Sequence, residues 1–254
     1  MSKIKIENIS HSYKQGDKQH DTLSNINLTI EKGELLVILG ESGCGKTTFL
    51  NILAGLLTPA AGSVWIDDNR YKVNRPHFSR SLITQQPYLL PWLNVKENIM
   101  FGCKLRNDLD DLSNRVNKFL KFMGLESFKK AYPKSLSLGM AQRVAFARSL
   151  ISTPEILLFD EPFTSLDFYN RSRLQVELLR IWQKEKYTMI FVTHDIEEAI
   201  LLGQRIVMFG NSPSTIEHIF NVDEPYPRDL KDRKIFDLKI DIQNKFKEIL
   251  DFKW

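Results

Sequence analysis

Residues 40–48 read GESGCGKTT, a glycine-rich run that closes on Lys46, Thr47 and Thr48. Glycines at 40, 43 and 45 let a backbone curl so that its N–H groups point inward at an anion. A lysine amine placed just after them reaches β- and γ-phosphates, and the following threonine hydroxyl can serve Mg2+. The spacing satisfies G-x-x-x-x-G-K-[ST] and the run stands between the apolar stretch ELLVILG and a helix-patterned one, the context that this motif requires. The chemistry it implies is nucleoside triphosphate binding.

Two further stretches bring groups that could act on such a ligand. EILLFDEP carries Asp160 and Glu161 at the end of an apolar strand, where the phosphates would lie. Asp160 is suited to hold Mg2+ through water, and Glu161 to accept a hydrogen bond from a water attacking the γ-phosphate, which favours hydrolysis over transfer to a second substrate. His194 ends another apolar strand, in FVTHD, and so points at the same edge. An imidazole there could tell triphosphate from diphosphate by a hydrogen bond worth about 1–3 kcal/mol.

A third stretch, SLSLGMAQRVAFARSL at residues 135–150, is ambiguous alone. Ser137 fits an N-cap, and the unpaired N–H groups after it could hold an anion. It reads equally as a capped helix that buries Val144, Ala147, Leu150 and Ile151 and carries Arg143 and Arg148 at its flanks.

These groups need a scaffold that delivers them to one edge. KIKIENIS and LSNINLTI alternate like strands of a half-covered sheet, whereas ELLVILG, EILLFDEP and TMIFVTHD are continuous apolar runs of the kind buried on both faces of a parallel sheet. GKTTFLNILAGLL has helical spacing and is expected to end near Pro59, and GSVWID returns to strand. DDLSNRVNKFLKFMGL and SLGMAQRVAFARSLI predict two helices inside a helical subdomain over 87–153. The remaining core is expected over 1–86 and 154–215, with a strand, STIEHIF, and an amphipathic helix over 216–254. Ligands of an open α/β sheet sit at the carboxyl ends of its strands.

The 254 residues, 43% apolar and 26% charged, suit a folded protein with one full core. No run reaches the roughly 18 apolar residues of a membrane span, and the first ten residues alternate instead of forming a signal-peptide block, so a cytoplasmic chain is expected. Cys44 and Cys103 give no disulfide framework or metal spacing. Lying near a helix N-terminus, Cys44 is expected to favour its thiolate and to react with thiol reagents, with bound nucleotide protecting it. The net charge of +4 is spread along the chain among acidic residues and points to no nucleic acid partner.

In this order the pieces resemble the nucleotide-binding subunit of ATP-binding cassette (ABC) transporters, over about residues 1–215. GESGCGKTT resembles its Walker A motif, ILLFDEP its Walker B, SLD at 165–167 its D-loop, and LSLGMAQR its signature. The resemblance implies an α/β P-loop NTPase of the ABC ATPase kind, with a mixed, mainly parallel core sheet, an antiparallel β subdomain and a helical subdomain. It implies ATP and Mg2+ as ligands and assigns Gly40, Ser42, Gly43, Cys44, Gly45, Lys46, Thr47 and Thr48 to the nucleotide. Glu161, His194, Gln85 and Lys46 become the catalytic set, and Thr47, Gln85 and Asp160 the metal set; Gln86 remains an alternative to Gln85.

Tyr13 takes the place of an adenine-stacking aromatic, or else packs on its sheet as an ordinary strand residue. Ser137, Gly139 and Asp167 would meet ATP bound to a second copy, two chains facing head to tail around two ATP molecules. Leu138 stands where the signature usually has glycine and Met140 where it has glutamine, so an active signature requires Leu138 at negative φ with its side chain turned away. LLPWLNVKENIMFG is similar to the importer branch that serves nitrate, sulfonates, taurine and thiamine precursors. Leu89, Leu90, Pro91 and Trp92 would dock a permease, or else pack the helical subdomain. A permease and, indirectly, an extracytoplasmic binding protein are the implied partners, at the cytoplasmic face of the membrane. The alternative is an ABC-type ATPase without a permease that acts on nucleic acid or ribosomes.

Overall fold

The computed structural model describes residues 3–16, 18–67, 69–70, 75–164 and 166–249. Strands β1 (Ile4–Gln15) and β2 (Lys18–Ile30) lead into β3 (Leu35–Leu39), helix α1 (Lys46–Ala54), and the strands β4 (Ala61–Ile66), β5 (Asn69–Arg70) and β6 (Arg80–Ile83). Helices α2 (Val95–Leu105), α3 (Leu112–Phe122) and α4 (Leu138–Leu150) follow. The chain then alternates through β7 (Ile156–Asp160), α5 (Phe168–Glu185), β8 (Thr188–Thr193), α6 (Ile196–Leu202) and β9 (Arg205–Phe209), and ends in β10 (Ile216–Asn221) and α7 (Arg233–Ile249).

Two sheets result. One is antiparallel, in the order β2-β1-β4-β5; the other runs β10-β9-β3-β8-β7-β6, parallel from β9 to β6 with β10 antiparallel at its edge. Because β10 pairs with β9, the sheet continues past the boundary expected at 215/216.

The apolar run of β3 explains why the second sheet needs cover on both faces. Leu35, Val37 and Leu39 join a core with α2, α3, α4, α5 and α6, while Leu36 and Ile38 join a second core with Phe49, Leu50 and Leu53 of α1 and with Ile4, Ile6 and Ile9 of β1. Side chains of a strand alternate sides, so one five-residue strand serves both layers. The carboxyl ends of β3, β7 and β8 are thereby held side by side.

Helix α1 stops before Pro59 because Gly55 takes a left-handed cap at φ 80°, its N–H returning to the Asn51 and Ile52 carbonyls. Helices α3 and α4 fall inside the two expected segments, and Gly124 at φ 64° follows α3.

Candidate ATP site

The phosphate loop joins β3 to α1 and is built as its glycines require. Gly43 and Gly45 sit at φ 85° and 108°, a region that side chains resist. A Cβ on Gly45 would also lie 3.0 Å from the Thr22 carbonyl and 2.9 Å from Leu23. Lys46, only 4% exposed, donates from Nζ to the carbonyls of Gly40 at 2.8 Å and Glu41 at 2.6 Å, and stands 3.6 Å from Glu161 Oε1. A buried ammonium is stable only with such partners.

The strand ends supply the rest. Thr47 donates its hydroxyl to Asp160 at 2.9 Å, which couples the start of α1 to the end of β7. Burial pushes the Asp160 carboxyl above the usual carboxylate range, against the pull of the Thr47 hydrogen bond and of Lys46. A hydroxyl and a carboxylate in contact form a hard-oxygen donor pair, and that chemistry fits Mg2+. Glu161 accepts at Oε2 from His194 Nδ1 at 2.9 Å and from the Thr164 hydroxyl at 3.3 Å. Its backbone is left-handed, at φ 46°, a conformation that costs on the order of 1–3 kcal/mol and persists only where neighbours fix it.

A cavity of about 590 Å3 gathers these groups, with Lys46, Thr47, Asp160, Glu161 and His194 in its wall. Ser42, Gly43, Gly45, Thr48, Tyr13 and Gln85 also face it, whereas Gln86 does not. Tyr13 is 44% exposed, donates to or accepts from Thr48 Oγ1 at 3.2 Å, and meets the His11 ring edge-on at 4.8 Å. Its ring is therefore held at the rim and not packed under the sheet.

Two residues of the expected phosphate loop stand apart from the cavity. Gly40 contributes its carbonyl to Lys46, and a Cβ there would meet Cys44 Sγ at 2.8 Å. Cys44 itself is corrected: its side chain is 4% exposed and turned into the core, and burial raises its thiol pKa against the pull of Lys46. The helix N-terminus does not make it a thiolate, because desolvation is the larger effect.

Ser137, Gly139 and Asp167 also lie outside the cavity wall. Ser137 caps α4, accepting from the Met140 N–H at 3.3 Å, and Leu138 opens that helix with no positive φ and a half-exposed side chain. The Leu138 backbone thus meets the first of the two conditions set for an active signature. Asp167 caps α5, its carboxylate occupied by the backbone and side-chain N–H groups of Asn170. Ser165, the first residue of the expected D-loop triplet, is outside the described residues.

The segment after β6 is gripped by the helical subdomain. Arg148 of α4 donates to the carbonyls of Pro87 at 3.1 Å and Tyr88 at 3.0 Å. Asn98, fully buried on α2, donates to the carbonyls of Leu90 and Leu93 and accepts from the Leu90 N–H. On this frame Leu89 packs inward, as the packing reading of the Leu89–Trp92 turn expects, while Trp92 is 68% exposed.

Residues 23–164 match the family model described as ABC transporter. The chain belongs to the ABC transporter family. It is 42% identical over 247 residues to an uncharacterized ABC transporter ATP-binding protein of Methanocaldococcus jannaschii, covering 97% of this chain and 92% of that one. It is also 42% identical over 225 residues to an aliphatic sulfonates import ATP-binding protein of Bacillus cereus, covering 89% and 88%. A solved ATP-binding cassette, a dimer in a post-hydrolysis state bound to ADP and Pi, superposes at a TM-score of 0.78 with 30% identity, covering 87% of this chain and all of that one. The chain is thus an ABC-type ATPase that binds ATP and has the P-loop ABC ATPase fold. Among the described residues no helix is long and apolar enough to cross a membrane.

Sequence reasoning missed several contributors to this ABC site. Thr22 and Thr164 line the cavity, and Ser214, fully buried, donates its hydroxyl to the Cys44 carbonyl from the loop before β10. Gln142, inside the quoted signature, was passed over although it is wholly buried. The final QR of LSLGMAQR was the available signal for it.

Proposed function

We propose that the chain powers an importer for a small anion or organic nutrient such as nitrate, a sulfonate, taurine or a thiamine precursor. Two copies meet head to tail, Ser137 and Gly139 of each completing the site that Lys46 forms in the other. Lys46 leaves its carbonyl partners for the β- and γ-phosphates, and Tyr13 stacks on the adenine. Thr47, Asp160 and Gln85 hold Mg2+, which when bound offsets the negative charge of those phosphates. Glu161 accepts a proton from the attacking water, and His194 holds the carboxylate in place at the γ-phosphate.

The observation that carries this reading is the row Lys46, Glu161, His194 at one cavity wall, with the Ser137 cap opening elsewhere. A single copy has the groups to bind and cleave a triphosphate but does not bring its own signature to them. The importer branch is supported by the relative named for aliphatic sulfonate import. The exposed Trp92 on the Asn98 frame supports docking of a permease at Leu89–Trp92, at the cytoplasmic face of a membrane, with a binding protein engaged only through that permease. Docking of an aromatic anchor suits such an interface.

The test is Glu161→Gln saturated with Mg-ATP, followed by light scattering. A stable two-copy species that Ser137→Ala abolishes is expected. A single-copy species only, under the same conditions, would refute the shared site.

A further inference from the structure

Gln142 lies on α4 one turn beyond the Ser137 cap, and its side chain is completely buried. Its Nε2 donates to two backbone carbonyls at once, that of Gln85 at 2.9 Å and that of Pro162 at 2.8 Å. Gln85 faces the ATP cavity, and Pro162 follows Glu161 directly. The orientation of the amide is fixed chemically, since turning it over would set its oxygen against two acceptors. Its Oε1, by contrast, is buried and meets no donor among the described residues. A side chain that leaves an acceptor unpaired in order to present two N–H groups is poorly explained by stability alone.

We propose that Gln142 is a positioning residue for hydrolysis, holding Glu161 and Gln85 in register through the main chain. Glu161 has a left-handed backbone, and its N–H is anchored to the Val192 carbonyl at 3.1 Å. Gln142 anchors the next residue on the other side, so the strained position is fixed at both ends. The same amide restrains Gln85. Because Gln142 belongs to the helix that Ser137 opens, a pull on that helix N-terminus reaches the base and the Gln85 loop together. This rests on the site assignment above.

The test compares Gln142→Leu, Gln142→Glu and Glu161→Gln with the unaltered protein. Gln142→Leu removes both donors; it is expected to lower kcat at least tenfold, to change KM for ATP by less than twofold and to leave the melting temperature within a few degrees. Backbone amide exchange at residues 161–163 of this variant, without nucleotide, is expected to quicken. Gln142→Glu keeps the length of the side chain and, whichever way its carboxyl is protonated, loses at least one of the two N–H donors, so its kcat is expected to fall as well. Should Gln142→Leu not fold, the kcat of Gln142→Glu decides.

Turnover within twofold of the unaltered protein in Gln142→Leu, or in Gln142→Glu where Gln142→Leu does not fold, overturns the proposal. If instead Glu161→Gln turns over normally, the assignment of the base fails, and the exchange result alone judges Gln142.

Discussion

His194 Nδ1 and Glu161 Oε2 share a hydrogen bond at 2.9 Å across the carboxyl ends of β8 and β7. The carboxylate accepts, so the ring carries hydrogen at Nδ1, and Nε2 is the atom left to face a ligand. On its other oxygen the same carboxylate faces Lys46 at 3.6 Å. The Glu161 carboxylate thus takes the imidazole's hydrogen bond on one oxygen and faces the ammonium charge on the other.

His194→Ala removes that donor and the ring's second nitrogen together. We expect kcat to fall about 100- to 1,000-fold, the range for losing one preorganised donor, with KM for ATP within a few fold. Steady-state ATPase assays decide; a large rise in KM with kcat intact would make His194 a binding residue only.

Asp160→Asn should separate stability from activity. Burial raises the folded pKa of Asp160, so above that pKa the buried charge is a burden on the native state. The burden lifts as pH falls through the folded pKa, because the native chain takes up its proton before the unfolded chain does. At pH 7 the amide variant should therefore melt at a higher temperature than the unaltered protein, and gain less stability on acidification. Its Mg2+-dependent turnover should collapse. A lower melting temperature at pH 7 would show that Thr47 and Lys46 outweigh the desolvation.

Ser137→Ala and Ser137→Gly discriminate cap from grip. Alanine should cost about 1 kcal/mol of stability and glycine only a few tenths, as at other N-caps. Both should bind ATP as single copies with unchanged affinity and both should fail to pair. Pairing by the glycine variant would mean that the hydroxyl is only a cap.

Thiol reagents should modify Cys44 slowly near neutral pH, because the thiol is 4% exposed and its pKa is raised. The rate is expected to follow opening of the fold. Labelling in urea at concentrations below the unfolding transition, monitored by mass, should accelerate it; rapid labelling in buffer alone would contradict the buried geometry.

Lys46, Thr47, Asp160, Glu161 and His194 were legible because each sits in a short stretch whose neighbours also declare a strand end or a glycine turn. Ser137 was legible as a cap from its own stretch, and the structure shows it as one; the proposal that it reaches a second copy's nucleotide came only with the family resemblance. The direction of the Cys44 side chain was not legible: inside a curled loop there is no period of 2 or 3.6 from which to read a face. Nor were the roles of Gln142 and Ser214, whose partners lie 57, 20 and 170 residues away. Contacts made between a side chain and a remote carbonyl carry no signature in residue type, since every residue offers that acceptor. The helix expected to run to near Pro59 ends at Ala54, because Gly55 takes the left-handed cap four residues ahead of that proline.

The buried hydroxyl of Ser214 has a practical consequence for cutting the chain. Its main chain also bridges to β2, Ser214 N–H donating to the Thr22 carbonyl and Ser24 N–H to the Ser214 carbonyl, each at 2.9 Å. All the recognisable motifs are complete by His194, yet a fragment trimmed to end shortly after them would lack the clasp behind the phosphate loop. Such a minimal piece would keep every signature a motif search looks for and lose the rigidity that lets them seize a nucleotide.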